Sequence, residues 1–310
     1  MLAEQSPSKK LAIILINWNS FELTRDTLES LQQTTYTNYD CIVVDNGSVD
    51  GSGQALKLQF PNIILIESET NKGFTGGNNL GMDYALQQDY EYIMMLNNDV
   101  AVEPNFLESL VARLDQNPTV GAVQPLIYFH HDRNLIWNAG STFNALLGIC
   151  NTPDYNKKDP EHQFKYKLKK IDWITGCAFM MRASVLKKVG LLKEAFFIYY
   201  EDVDLSFRIK QAGYILGYVP ESVIYHIAGM SHKSKTKEKE GFVSPKVHYL
   251  NNRNRIWFLK AHTPWWAIPT TFIYQFLYYL AVIFYFISRL RFNKLKAWLT
   301  CIKDGILGSA

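Results

Sequence analysis

The chain has 310 residues, 47% hydrophobic and 20% charged, which is enough to bury one large domain or two and excludes a disordered or low-complexity chain. Its net charge of +3 is a cancellation. Residues 231–310 hold 13 of the 32 Lys and Arg but 3 of the 29 Asp and Glu, so they are net +10 while residues 1–230 are net −7. A basic, aromatic-rich end suits an anionic partner, either phospholipid or nucleic acid.

Residues 1–10, MLAEQSPSKK, lack the charged-then-apolar design of a signal peptide, so the main domain is expected in the cytoplasm. Apolar runs then alternate with helical-period segments, as in a parallel sheet covered by helices on both faces. Strands are predicted at 11–17, 40–45, 63–67, 91–96 and 120–124. Helices are predicted at 21–33, 53–60, 77–87 after a glycine-rich loop, and 105–117 opened by Pro104. Residues 125–170 lose this rhythm and read as an irregular insertion. Beyond it come a strand-like stretch 171–181, a helix near 184–189, an aromatic patch 196–200, a helix 202–212, a strand 214–219 and a Lys-rich loop 231–240. Cys41, Cys150, Cys177 and Cys301 form no CxxC pair and read as reduced thiols.

No GxxxxGK[ST] is present, and Gly51-Ser-Gly53-Gln-Ala-Leu56 fails the GxGxxG pattern, so neither a P-loop nor a nicotinamide site is supported. Carboxylates stand instead at strand C-termini, the edge where open α/β sheets bind ligands: Asp45 after 41–44 and Asp99 after 93–96. Each alone could be a turn or helix cap; together they favour a site for a ribose or base and a metal-bound diphosphate. A third cluster, Glu201, Asp202 and Asp204, opens a helix, where acidic groups also serve the helix dipole. Phe196, Phe197, Tyr199 and Tyr200 before it would desolvate a carboxylate and prepare a general base.

Four motifs fall in one order: Val43-Val-Asp-Asn-Gly-Ser-Val-Asp-Gly51, Asn71-Lys-Gly-Phe-Thr-Gly-Gly-Asn-Asn-Leu-Gly81, Leu96-Asn-Asn-Asp-Val100 and Tyr200-Glu-Asp-Val-Asp-Leu-Ser-Phe-Arg208. Together, over residues 10 to 260, the chain resembles family 2 glycosyltransferases of the GT-A fold, most closely the bacterial rhamnosyltransferase-like branch. The resemblance implies an α/β, Rossmann-like mixed sheet flanked by helices: a catalytic domain over 8–260, with 125–170 as an acceptor-side insertion, and membrane-associated helices over 261–310. It implies that Asp45 contacts the base or ribose of a dTDP- or UDP-sugar, with Asn17, Asn46, Gly73, Gly76 and Asn78 also on the donor. Asn97-Asn98-Asp99 becomes a DxD-type motif in which Asp99 alone keeps the carboxylate for Mg²⁺ or Mn²⁺, and His226 a further metal or diphosphate ligand. Asp202 becomes the base of an inverting displacement, with Glu201, Gly176 and Cys177 on the acceptor side and Asp204 in a capping or structural role. The implied reaction moves rhamnose or a related hexose to a saccharide or a polyprenyl-diphosphate-linked glycan in cell-surface polysaccharide synthesis. A nucleotidyltransferase and a non-catalytic nucleotide-sugar-binding scaffold are the rival readings.

Between Lys260 and Arg289 there is no Asp, Glu, Lys or Arg. Residues 270–288 would make about 28 Å of helix at ~1.5 Å per residue, against a hydrocarbon core of ~30 Å. Basic residues flank the run on both sides, which opposes a simple crossing, and 293–307 places Leu295, Trp298, Leu299, Ile302 and Ile306 on one helical face. A re-entrant or in-plane helix pair on the cytoplasmic face of the cell membrane, in contact with phospholipid, is favoured over a single span and over a soluble dimer interface. Nucleic acid is not expected as a partner: Asn251-Asn-Arg-Asn-Arg-Ile-Trp257 looks like a basic-aromatic reader, but no recognition motif accompanies it.

Overall fold

The computed structural model describes residues 10–167, 169–228, 233–238 and 240–310. The expectation about a leader falls almost wholly on residues 1–9, outside the described residues, as do 229–231 after His226. The chain runs β1 (Leu11–Asn17), α1 (Phe21–Leu31), β2 (Tyr39–Asn46), α2 (Ser52–Gln59), β3 (Ile64–Ser68), α3 (Gly73–Leu86), β4 (Tyr92–Leu96), β5 (Val100–Val102) and α4 (Phe106–Gln116). There follow β6 (Val120–Phe129), β7 (Ile136–Asn138), β8 (Thr142–Asn144), β9 (Ile149–Asn151), β10 (Ala178–Arg182), α5 (Ala183–Val189), α6 (Glu201–Gln211) and β11 (Ile215–His226). A hairpin of β12 (Lys233–Glu238) and β13 (Gly241–Val243) leads to α7 (Pro245–His262), α8 (Ile268–Ser288) and α9 (Phe292–Leu307).

Eight strands of the main sheet lie in the order β3-β2-β1-β4-β10-β6-β11-β5, with β7 paired to β6. β1 to β4 are mutually parallel, β10 is antiparallel to both its neighbours, and β5 is antiparallel to β11. The sheet is therefore mixed, as the resemblance implies, whereas the hydrophobic rhythm alone suggests a parallel sheet. Runs such as Leu11-Ala-Ile-Ile-Leu15 are buried on both faces because helices cover both. On one side of the sheet Met82 and Ala85 of α3, Leu186 of α5 and Leu205 and Ile209 of α6 share one apolar cluster with Ile14 and Val44. On the other, Leu28 and Leu31 of α1, Leu56 of α2 and Leu107, Leu110 and Leu114 of α4 share a second with Leu15 and Val43.

Four more expectations change. β6 and β11 run past Gln124 and Val219, where the predicted strands stop before Pro125 and Pro220. The two strands are irregular in register between Val219 and Val223, and a bulge is where a strand accommodates proline. Residues 171–177 are not strand; β10 starts at Ala178. The glycine-rich loop is already helix from Gly73. The Lys-rich loop contains β12, which pairs with β13 just beyond it.

α7 ties the C-terminal helices to the sheet domain. His262 Nε2 lies 2.8 Å from the buried Asp204 carboxylate, which also accepts from Arg208 Nε at 2.7 Å. Burial alone would raise the Asp204 pKa, but His262, Arg208 and Lys193 hold it below the usual carboxylate range. Asp204 is thus a structural anchor between α6 and α7. Tyr279, Phe286, Trp298 and Cys301 form a separate apolar cluster of α8 and α9.

Candidate active site

The C-terminal ends of β1 and β2 bring Asn17 opposite Asp45 in register. Asn17 Nδ2 donates to Asp45 Oδ1 at 3.1 Å, Ser52 Oγ at 2.7 Å and Ser48 Oγ at 3.2 Å, while Ser48 donates to the same carboxylate. Thr24 on α1 donates to Asn17 Oδ1 at 2.9 Å and accepts from Asn98 Nδ2 at 2.8 Å. One chain of hydrogen bonds thus runs from the loop after β4, through Asn17, to Asp45. Gly53 is required beneath it, since a β-carbon there would strike the Asp45 carboxylate. Thr24 and Ser52 lie outside the four motifs, and Ser48 lies inside the first without being singled out, so the sequence reading missed all three.

Asn46 reaches the start of α3, accepting from Lys72 N–H at 3.0 Å and donating to Gly73 O at 2.9 Å. Gly73 lies at φ 73°, where a side chain would be strained, and a β-carbon on it would meet Phe197. Gly76 stands against the Lys72 side chain, and Gly77 and Gly81 let α3 approach Ile16 and Ile14. Asn78 is buried, its amide donating to Phe74 O at 2.9 Å. The small residues of this segment are used for close packing of helix on sheet.

After β4, Asn97 and Asp99 converge on His226 at the end of β11. His226 Nε2 is 3.0 Å from Asp99 Oδ1 and 3.2 Å from Asn97 Nδ2, and the Trp137 ring stands edge-on to the imidazole. Burial disfavours the charged ring, yet Cys177 and Asp99 raise its pKa to about 10. The Cys177 thiol is itself pushed up by burial, so at neutral pH Asp99 is the partner that counts. Mg²⁺ and Mn²⁺ are commonly held by one or two protein groups plus substrate phosphates. Asp99 and the Asn97 amide would take such a cation together with substrate phosphates, and His226 would join them through Nε2 by giving up the proton it holds at neutral pH. No group of three or more His, Cys, Asp and Glu at metal spacing occurs among the described residues.

Residues 175–177 join this group to the acidic one. Asn97 N–H donates to Cys177 O at 2.9 Å, and Gly176 N–H donates to Asp202 Oδ2 at 2.8 Å. Asp202 Oδ1 accepts from Val203 N–H at 2.8 Å. Burial raises the Asp202 pKa while those N–H groups oppose it. Glu201 is buried, with Oε2 unpartnered, and burial beside Asp202 pushes its pKa well above the ordinary range. Two N–H groups on the Asp202 oxygens, against an unpartnered oxygen on Glu201, favour the charge on Asp202. Phe197, Tyr199 and Tyr200, which lead into them, all lie at positive φ, at about 1–3 kcal/mol each.

The mixed α/β sheet with helices on both faces is the fold of the GT-A glycosyltransferases. The model of Glycosyl transferase family 2 matches residues 12–190, more than half of the chain, and the protein belongs to that family. It is 23% identical over 274 residues to the N-acetylglucosaminyl-diphospho-decaprenol L-rhamnosyltransferase of Mycobacterium tuberculosis, covering 84% of this chain and 87% of that one. It is 25% identical to the low-salt glycan biosynthesis hexosyltransferase Agl10 of Haloferax volcanii, covering 81% and 76%. It is 26% identical to the rhamnosyltransferase WbbL of Escherichia coli, covering 65% and 69%. Among solved structures it resembles GalNAc-T7 with UDP, GalNAc and Mn²⁺, at TM-score 0.62 and 16% identity over 83% of this chain. It spans about half of that chain, 48%, so this likeness speaks for the fold. The protein is a glycosyltransferase, and the nucleotidyltransferase and scaffold readings fall away.

Proposed function

We propose that the protein transfers rhamnose or a related hexose from a dTDP- or UDP-sugar to a polyprenyl-diphosphate-linked saccharide, with inversion. The observation that carries this is the Asp202 carboxylate, fixed by Gly176 and Val203 N–H groups and linked through 175–177 to the Asp99–His226 pair. Asp202 takes the proton of the acceptor hydroxyl as that oxygen bonds to the anomeric carbon. The bond from that carbon to the diphosphate oxygen breaks, and the nucleoside diphosphate leaves with the electron pair. A positioned base contributes typically ~10²–10⁴ in rate. Glu201, beside it, orients the acceptor. Asp45 and Asn17 hold the nucleoside end. Mg²⁺ or Mn²⁺ held by Asp99 and His226 would offset charge on the leaving diphosphate.

The acceptor class rests on the Mycobacterium tuberculosis relative and on α8. Residues Trp265–Ser288 are long and apolar enough to cross a membrane. Yet α8 is docked along its length: Thr271 Oγ1 donates to Ala145 O at 2.6 Å, Gln275 Nε2 to Leu147 O at 2.6 Å and Tyr279 OH to Asn252 O at 3.2 Å, and Phe286 packs on Trp298. The rest of α8 leaves Phe272 68% and Phe284 73% exposed, and Trp265 just before it is 82% exposed. A helix held by its own domain on one side and apolar on the other lies flat in the membrane interface. Arg289, Arg291, Lys296 and Lys303 beside it suit anionic headgroups. Incubation with a panel of nucleotide sugars and a polyprenyl-diphosphate-linked saccharide tests the reaction. Free nucleoside diphosphate with an acceptor one sugar longer is expected, and free nucleotide without sugar transfer contradicts it.

A further inference from the structure

Three of the four residues 197–200 are non-glycine at positive φ: Phe197 at φ 64°, Tyr199 at 76° and Tyr200 at 70°. Phe197, at ψ −53°, is the centre of a tight turn closed by Ile198 N–H donating to Phe196 O at 2.8 Å. This is the γ-turn of the strained hand. Bulky aromatics persist in such backbone only where the surroundings over-determine it. Tyr200 stands at the N-terminus of α6 and supplies no side-chain cap, so helix initiation does not account for the geometry.

What holds the turn comes from α7. Asn254 is fully buried, and its Nδ2 lies 2.8 Å from Phe196 O, 2.9 Å from Ile198 O and 2.9 Å from Tyr199 O. Three carbonyl oxygens gathered at one point repel one another unless a donor stands between them, and a side-chain amide has two hydrogens to give. Arg253 fixes the other end of that amide, donating from Nε at 3.0 Å and Nη2 at 2.8 Å to Asn254 Oδ1, and its Nη2 also reaches Ala195 O at 2.8 Å. From the opposite side Thr75 N–H donates to Phe197 O at 3.2 Å. The segment 196–200 is thus clamped between α3 and α7, and the next residues are Glu201 and Asp202.

We propose that Asn254 is a positioning residue: by gathering the carbonyls of residues 196, 198 and 199 it holds the strained turn that aims Asp202 at the acceptor hydroxyl. This rests on the reading of Asp202 as the base. The cluster also gives Asn251-Asn-Arg-Asn-Arg255 a role that neither lipid nor nucleic acid explains, since Asn254 faces inward and touches neither. A shift of about 1 Å in a reacting group costs on the order of 10²-fold in rate, which sets the size of the effect.

The test uses the full chain and two variants, Asn254→Asp, which keeps the shape and loses both donors, and Asn254→Leu. UDP and dTDP are titrated calorimetrically, and kcat is expressed per nucleotide-binding site found, so unfolded chain does not count. The expected result is a fall in kcat per site of about 10²-fold, with donor KM and nucleotide affinity within twofold of the parent. Unchanged kcat per site overturns the proposal. So does a loss of nucleotide binding in step with activity, or the absence of titratable sites in both variants, because either makes Asn254 a residue of the general fold. Asp202→Asn is measured alongside: if it turns over normally the base reading fails by itself, whereas an inactive Asp202→Asn beside active Asn254 variants removes the clamp alone.

Discussion

The donor edge and the base loop of this enzyme are built on opposite plans. At the donor edge, Asn17 and Asp45 stand on strand ends in register, and their polar atoms answer one another through Thr24, Ser48 and Ser52. At the base loop, bulky residues sit at positive φ, Glu201 Oε2 is buried without a partner, and the restraint comes from a helix some fifty residues later in the chain. On the proposed reading the difference separates binding from turnover: a satisfied network on rigid strands would bind nucleotide, and a strained, desolvated acidic pair would supply the base. Mutations should therefore separate the two.

The largest expected separation is Asp202→Asn. Transfer should fall by ~10²–10⁴ while UDP or dTDP affinity stays unchanged, as read by product release and calorimetry. Asp45→Ala should do the converse. It removes a charged hydrogen-bond acceptor worth ~1.5–3 kcal/mol, so nucleotide affinity should weaken about 10- to 100-fold, with kcat at saturating donor nearly kept. If both variants lose binding and turnover alike, the two regions are not separable.

That contrast also governs what the sequence makes legible. The strands ending in Asn17, Asp45 and Leu96 are continuous apolar runs, and their ends were readable to within a residue or two because a carboxylate or an amide follows each run. The network beneath them was not, because Thr24, Ser48 and Ser52 are ordinary surface residue types until α1 and α2 fold over the strand ends. Glycines 73 and 76 read as a loop because glycine disfavours helix; tight packing of α3 on β1 and β2 through Gly77 and Gly81 overrides that propensity. Proline 125 and proline 220 ended two strands too early, since a bulge that accommodates proline leaves no local trace. Asn254 lay hidden in a run that looked basic and outward-facing, although its place is internal.

Two smaller effects sharpen the comparison. The double substitution Phe272→Glu and Phe276→Glu puts charge on the exposed face of α8 and should lower binding to anionic phospholipid vesicles by about tenfold or more. UDP affinity in detergent should stay as before; co-sedimentation and calorimetry check the two halves. The smallest change is in pH dependence. Burial raises both acidic pKa values and Glu201 is raised further by Asp202, so the acid limb of kcat, where Asp202 becomes protonated, should lie above the ordinary carboxylate range. Glu201→Gln mimics the protonated neighbour, so that limb should stay in place; a limb that moves to lower pH shows that Glu201 carries charge where Asp202 titrates.

The central claim is most directly tested by the anomeric configuration of the product. With the donor sugar found by the nucleotide-sugar panel, a lipid-linked saccharide extended by the parent enzyme is followed by NMR, beside Asp202→Asn. The account predicts one added sugar of inverted configuration, one nucleoside diphosphate released per transfer, and a loss of both in the variant. Retained configuration, or full turnover by Asp202→Asn, would contradict it.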